Sequence, residues 1–77
     1  MKVQITQVHE RDSFKHLGII GMQLIISYDL PKWSSGFIVS GYRHGDARVA
    51  KDFTAKDGTP YEKGEHLHFY AIKYKKL

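Results

Sequence analysis

Seventy-seven residues without a cysteine allow one small domain, 1–77, and exclude both a disulfide framework and a thiolate metal site. A hydrophobic fraction of 42% excludes a disordered chain, so an apolar core must carry the fold. Twelve Lys and Arg against eight Asp and Glu leave a net charge of +4, which draws such a surface toward phosphates, acidic lipids or acidic proteins.

The chain opens on Lys2 to Val8, where Val3 and Ile5 alternate with Lys2, Gln4 and Thr6 in the period of a half-buried strand. Val8 falls out of phase, which predicts a bulge or the strand end. The same stretch lacks a continuous apolar run, so no secretory leader is expected and the chain reads as cytoplasmic. His9 to His16 is polar apart from Phe14 and reads as a loop or one helical turn, with Asp12 or Ser13 as its cap. Gly18-Ile19-Ile20-Gly21 predicts a tight bend. The apolar stretch Leu17 to Ile26 is far shorter than the ~20 residues needed to cross a bilayer.

Met22 to Tyr28 reads as the second strand, with Met22, Leu24, Ile26 and Tyr28 on one face. Asp29 to Gly36 is a loop, and Gly36 to Arg43 the third strand, with Phe37 and Val39 facing inward. His44-Gly45-Asp46 is a turn candidate, and Arg48 to Thr54 a weaker fourth strand carrying Val49 and Phe53. Lys56-Asp57-Gly58-Thr59-Pro60 holds an Asp-Gly hairpin signal, and Gly64 lengthens that connection. The last strand runs from Glu65 to about Lys75. The expected core is Val3, Ile5, Leu24, Ile26, Phe37, Val39, Phe53, Leu67 and Phe69. Five short strands, turn signals between them and at most a short helical turn predict an all-β fold, closed into a small barrel that leaves no free sheet edge.

The segments Val8-His9-Glu10-Arg11-Asp12-Ser13-Phe14, Gly18-Ile19-Ile20-Gly21 and Phe69-Tyr70-Ala71-Ile72-Lys73, in that order, resemble small SH3-like β-barrel proteins of bacteriophage origin. An OB-like barrel fits the same strand count. The phage resemblance implies a mobile-element accessory protein. It carries over no catalytic residue.

No spacing in the chain fixes a nucleophile, a base and an orienting group together, so a non-enzymatic protein without a cofactor is expected. His66 and His68 share a strand face ~7 Å apart. With His9, Glu10 or Asp12 as third ligand they form a conceivable metal set, but His-x-His alone is unspecific and no metal is assigned. Gly18-x-x-Gly21 lacks the Lys-Ser/Thr of a phosphate loop and the flanking helices of a KH loop, which makes it a structural bend.

Two binding surfaces remain. Trp33, in a polar loop with Phe14, Tyr28 and Leu30, predicts an apolar patch for a host or viral protein, the role of an inhibitor or modulator. The alternative is nucleic acid: Tyr70 and Tyr74 interleave with Lys73, Lys75 and Lys76 on the last strand, with Tyr42, Arg43 and Lys2 nearby, so that rings stack on bases and cations follow phosphates. Tyr70, Ile72 and Tyr74 then share one face. A homodimer is the third expectation, since a shared face would stabilise so small a domain.

Overall fold

The computed structural model describes residues 1–15, 17–33 and 41–77. Among the described residues six strands run in chain order: β1 (Lys2–Val8), β2 (Gln23–Ile25), β3 (Arg43–Val49), β4 (Phe53–Thr54), β5 (Pro60–Tyr61) and β6 (His66–Lys76). Strands β1, β2, β3 and β6 close into an antiparallel barrel, and β4 pairs with β5 as a separate ribbon. The small all-β barrel is therefore present, with its strands apportioned differently from the expectation. The predicted third strand, with Phe37 and Val39, falls mostly on 34–40 and lies outside the described residues. Among the described residues no helix is long and apolar enough to cross a membrane.

The alternation along β1 and β6 fills the barrel. Val3, Ile5, Met22, Leu24, Ile26, Leu67 and Phe69 are all buried, and Ile19, Val49 and Ile72 join them. Each such side chain contributes about 1.5–3 kcal/mol relative to an exposed one. Phe53 only lies against this core, half-buried, because its two-residue strand sits on the ribbon rather than in the barrel wall.

Two strands slip phase. Opposite β6, β1 carries one extra residue between Ile5 and Gln7, and this turns Val8 back toward the core. The out-of-phase Val8 indicates a bulge or the strand end, and both occur, since β1 also ends at Val8. Opposite β3, β6 carries an extra residue where Arg43 pairs with Ile72 and Gly45 with Phe69. The inward set of β6 therefore changes from Leu67, Phe69 and Ala71 to Ile72 and the half-buried Tyr74. The expected common face of Tyr70, Ile72 and Tyr74 does not form, since Ile72 is fully buried beside Phe69.

His44-Gly45-Asp46 is strand, not turn. Gly45 lies inside β3 with φ 141°, and a Cβ there would come 3.0 Å from Leu30 Cδ2. The glycine makes room for the buried Leu30 against the strand backbone. Arg48 and Val49 then end β3, a bend follows, and only Phe53 and Thr54 form β4. The second strand is shorter than expected as well, and Tyr28 is 67% exposed beyond it.

The two glycine-rich turns behave as their sequences indicate. The Gly18–Gly21 bend places Gly21 N–H on Ile5 C=O at 2.9 Å and returns the chain into β2. Asp57-Gly58 closes the β4–β5 hairpin: Ala55 N–H donates to Thr59 C=O at 2.9 Å, and Asp57 accepts from the Thr59 N–H and hydroxyl. Thr54 pairs with Pro60 and Phe53 with Tyr61, so the connection before the last strand holds a short strand of its own.

Candidate functional site

The β6 bulge decides which side chains reach the outside, and Asp12 holds that bulge. Its carboxylate is 2% exposed. Oδ2 accepts the N–H groups of Tyr70 and Ala71, both at 2.8 Å, and Oδ1 accepts Phe14 N–H at 2.9 Å. His9 N–H adds a bond to Ala71 C=O at 2.9 Å. On the other side, the Trp33 indole N–H donates to Tyr70 C=O at 2.7 Å. Tyr70 is thus gripped through both of its backbone groups, from a loop on one side and an aromatic ring on the other. Asp12 also makes the turn-capping bond expected of it, to Phe14, but its larger role is across the fold.

Beyond the bulge the last strand sorts its side chains into two groups. Gln4 pairs with Lys75 and Gln7 with Lys73, so both lysines lie on the outer wall, and Lys2 shares that face two residues from Gln4. Trp33 packs on Tyr70 with ring centroids 5.0 Å apart and on His44 at 4.9 Å. Two residues from His44, Tyr42 meets the His9 ring edge-on at 4.9 Å and carries the Lys73 ammonium 4.7 Å above its own ring. This outer surface joins Trp33, His44, Tyr70, Tyr42, His9 and Lys73, with Lys75 and Lys2 further along the wall.

The second group closes one end of the barrel. Tyr74 hydroxyl accepts Leu30 N–H at 2.9 Å and donates to Asp29 at 3.2 Å. Arg43 donates to Leu30 C=O at 2.8 Å and lies 5.1 Å from the Tyr74 ring centre. Lys76 reaches Asp29 at 3.0 Å. The sequence had grouped Arg43, Tyr74 and Lys76 with Tyr42, Tyr70, Lys73, Lys75 and Lys2; the bulge separates them, because it shifts the parity of everything after Ala71.

The Asp29 carboxyl is held below the usual carboxylate range, chiefly by its hydrogen bond from Lys76. Burial pushes the Tyr74 and Tyr61 phenols above their ordinary value of 10.0. A raised phenol pKa stabilises the fold while the group is protonated, and that contribution disappears as the pH rises through the folded-state value. The urea midpoint should therefore fall above about pH 10, in step with phenolate absorbance, and Tyr74→Phe should flatten part of that decline while costing about 1 kcal/mol at neutral pH through the Leu30 N–H it leaves unpaired. A midpoint flat to pH 11 would contradict the placement of both phenols.

The four residues expected to form an apolar patch are dispersed. Leu30 is buried at 3% exposure, and Phe14 packs half-buried on Phe69, with centroids 5.1 Å apart, and on Tyr61 at 6.4 Å. Tyr28 is exposed, and Trp33 belongs to the Tyr70 cluster. His66 and His68 do share an outward face, but the acid beside them is Asp46, opposite on β3, with Oδ1 at 3.5 Å from His66 and 2.8 Å from His68. The expected third ligands are placed elsewhere: Asp12 on the β6 backbone, His9 against Tyr42, and Glu10 beside His9, Lys15 and Lys73. Among the described residues no group of three or more His, Cys, Asp or Glu is placed to hold a metal ion.

Sequence reasoning missed His9, Lys15 and His44 as neighbours of the outer rings. The one signal available was Ala71-Ile72, two apolar residues in succession, which marks a change of face in an alternating strand. Compared with protein-family models, with curated proteins and with solved structures, the chain gives no match. Fold and surface together define a small closed β-barrel with an aromatic and basic outer wall.

Proposed function

We propose that this chain is a non-enzymatic binding barrel whose outer wall engages single-stranded nucleic acid. The observation that carries the reading is a pair of ring clusters, Trp33 with Tyr70 and His44 and Tyr42 with His9 and Lys73, brought side by side by the Trp33 backbone N–H bond to Tyr42 C=O. Rings accept bases of any sequence, and lysines beside them follow the phosphates. The charge layout supports it. Four of the eight acids, Asp52, Asp57, Glu62 and Glu65, lie on the β4–β5 ribbon and its turns. Asp29, Asp46 and Asp12 are engaged by Lys76, by the two histidines and by backbone N–H groups, and the eighth acid, Glu10, lies beside Lys15 and Lys73 at one end of the wall. The Lys73 and Lys75 side of β6 meets Gln4 and Gln7 across the pairing rather than carboxylates.

A protein partner bound through Trp33 is the second reading. It draws on Trp33 and the exposed Tyr28, and it fits the host-modulating, phage-accessory role in the cytoplasm that the resemblance implies. It has lost Leu30 to the core, and Phe14 is half-buried against it.

Salt separates the two. Three or four phosphates neutralised on a single strand give a slope of about −2 to −3 in log Kobs against log salt. Lys73→Ala is expected to reduce that slope by about 0.7, and Tyr70→Ala to cost ~1–3 kcal/mol of stacking. The measurement is a titration of labelled oligothymidylate at two salt levels. Absence of binding at low salt overturns the nucleic-acid reading and leaves the protein partner.

A further inference from the structure

We infer that the open depression at the end of this wall, about 350 Å³ and lined by Val8, His9, Glu10, Lys15, Tyr42 and Lys73, is a phosphate subsite. Its physiological ligand, a phosphodiester of a bound strand, rests on the reading above; the recognition of phosphate does not.

Two ammonium groups reach the depression from elements far apart in sequence, and both are held. Lys15 Nζ donates to Val8 C=O at 3.3 Å. Lys73 Cε passes 3.4 Å from where a Cβ on Gly41 would lie, an ordinary van der Waals spacing, so the stem runs along the Gly41 backbone with its Nζ 4.7 Å above the Tyr42 ring. A cation fixed in this way loses less freedom when an anion arrives than a free surface lysine does. His9 adds a donor. Its Nδ1 accepts Arg11 N–H at 3.1 Å, so the neutral ring carries its proton on Nε2. A phosphodiester offers only acceptor oxygens, as does most of inorganic phosphate's surface, and this lining supplies ammonium and imidazole donors. The space also admits the sugar attached to the phosphate, with Tyr42 as the apolar wall.

Glu10 opposes the lysines. It lines the same depression, and its negative charge weakens any anion held there. It thereby supplies a variant that should gain affinity, which a merely damaged fold cannot do.

The test titrates inorganic phosphate into the full chain, with chloride keeping ionic strength constant, and follows the His9, Tyr42 and Lys73 side-chain resonances. Saturable shifts with a millimolar Kd are expected. Lys15→Met and Lys73→Met, which keep the stems, should weaken binding at least threefold, and Glu10→Gln should strengthen it about two- to threefold, the size of one exposed charge interaction in water. No saturable shift, or indifference to all three substitutions, overturns the subsite. A parallel oligothymidylate titration keeps the two readings apart. Phosphate without oligonucleotide binding refutes the nucleic-acid reading and leaves the subsite; oligonucleotide binding with the pocket resonances unmoved refutes the phosphodiester as its ligand and leaves the nucleic-acid reading.

Discussion

Asp12→Ala is expected to remove about 3–4 kcal/mol of stability and to release the outer wall from its present geometry. The carboxylate accepts three backbone N–H groups from a position that is 2% exposed. Three hydrogen bonds to a charged acceptor contribute about 1.5–3 kcal/mol each, and the several kcal/mol that desolvating the carboxylate costs, which alanine no longer incurs, reduce their sum to about 3–4 kcal/mol. A chain of this length commands roughly 4–12 kcal/mol in all, so the loss is a large share of the total. Asp12→Asn should fall between, near 2 kcal/mol. An amide offers one acceptor oxygen, and its NH2 must then face either Phe14 N–H or the Tyr70–Ala71 pair. Urea denaturation of both variants checks the order. A loss below 1 kcal/mol for the alanine variant would show that the bulge holds its shape without Asp12. The functional consequence follows from position: an unpinned bulge frees Tyr70 and everything after it to change face.

Gly18→Ala is expected to cost about 2–4 kcal/mol. Gly18 adopts φ 74°, where an L side chain is strained by about 1–2 kcal/mol. The added Cβ would lie 2.6 Å from Lys56 Cβ and 3.1 Å from Lys56 N. Lys56 Cβ is fixed to the backbone and cannot swing aside, so the collision adds an overpacking cost of about 1–3 kcal/mol. Relief would require separating the bend from the β4–β5 hairpin, which breaks the bonds from Lys56 N–H to Gly18 C=O at 3.2 Å and from Asp57 N–H to Leu17 C=O at 3.4 Å. Gly58→Ala is the control. That glycine also has positive φ, at 94°, but nothing lies within 4 Å of its missing Cβ, so only the conformational cost of about 1 kcal/mol applies. Equal losses in the two variants, read from urea midpoints, would contradict the close approach at Gly18.

The chain reveals its fold class because local and tertiary preferences agree over most of it. Alternating Val3 and Ile5, then Leu24 and Ile26, then Leu67 and Phe69, require sheet faces that must be covered, and the turns between them carry Gly and Asp where turns need them. The errors occur where a distant residue overrides a local signal. His44-Gly45-Asp46 has turn composition, yet its glycine serves the bulk of Leu30, which no local window contains. The same distance hid the wall. Val8 exposes the β1 bulge because valine is plainly apolar and out of phase. Ala71 is small enough to suit either face, so Ala71-Ile72 marks the β6 bulge only faintly, and with it the placing of Lys73 and Lys75, rather than Tyr74 and Lys76, on the face of Tyr70. Asp12 looked like a loop cap because the partners that occupy it, the Tyr70 and Ala71 N–H groups, lie 58 and 59 residues away.

The most direct test of the proposed wall is residue-resolved mapping of backbone amide shifts on adding oligothymidylate at low salt. Perturbations are expected at Tyr42, His44, Tyr70 and Lys73, with Arg43, Leu30 and Tyr74 at the barrel end unmoved. Shifts confined to that end, or none at all, would contradict the proposed wall.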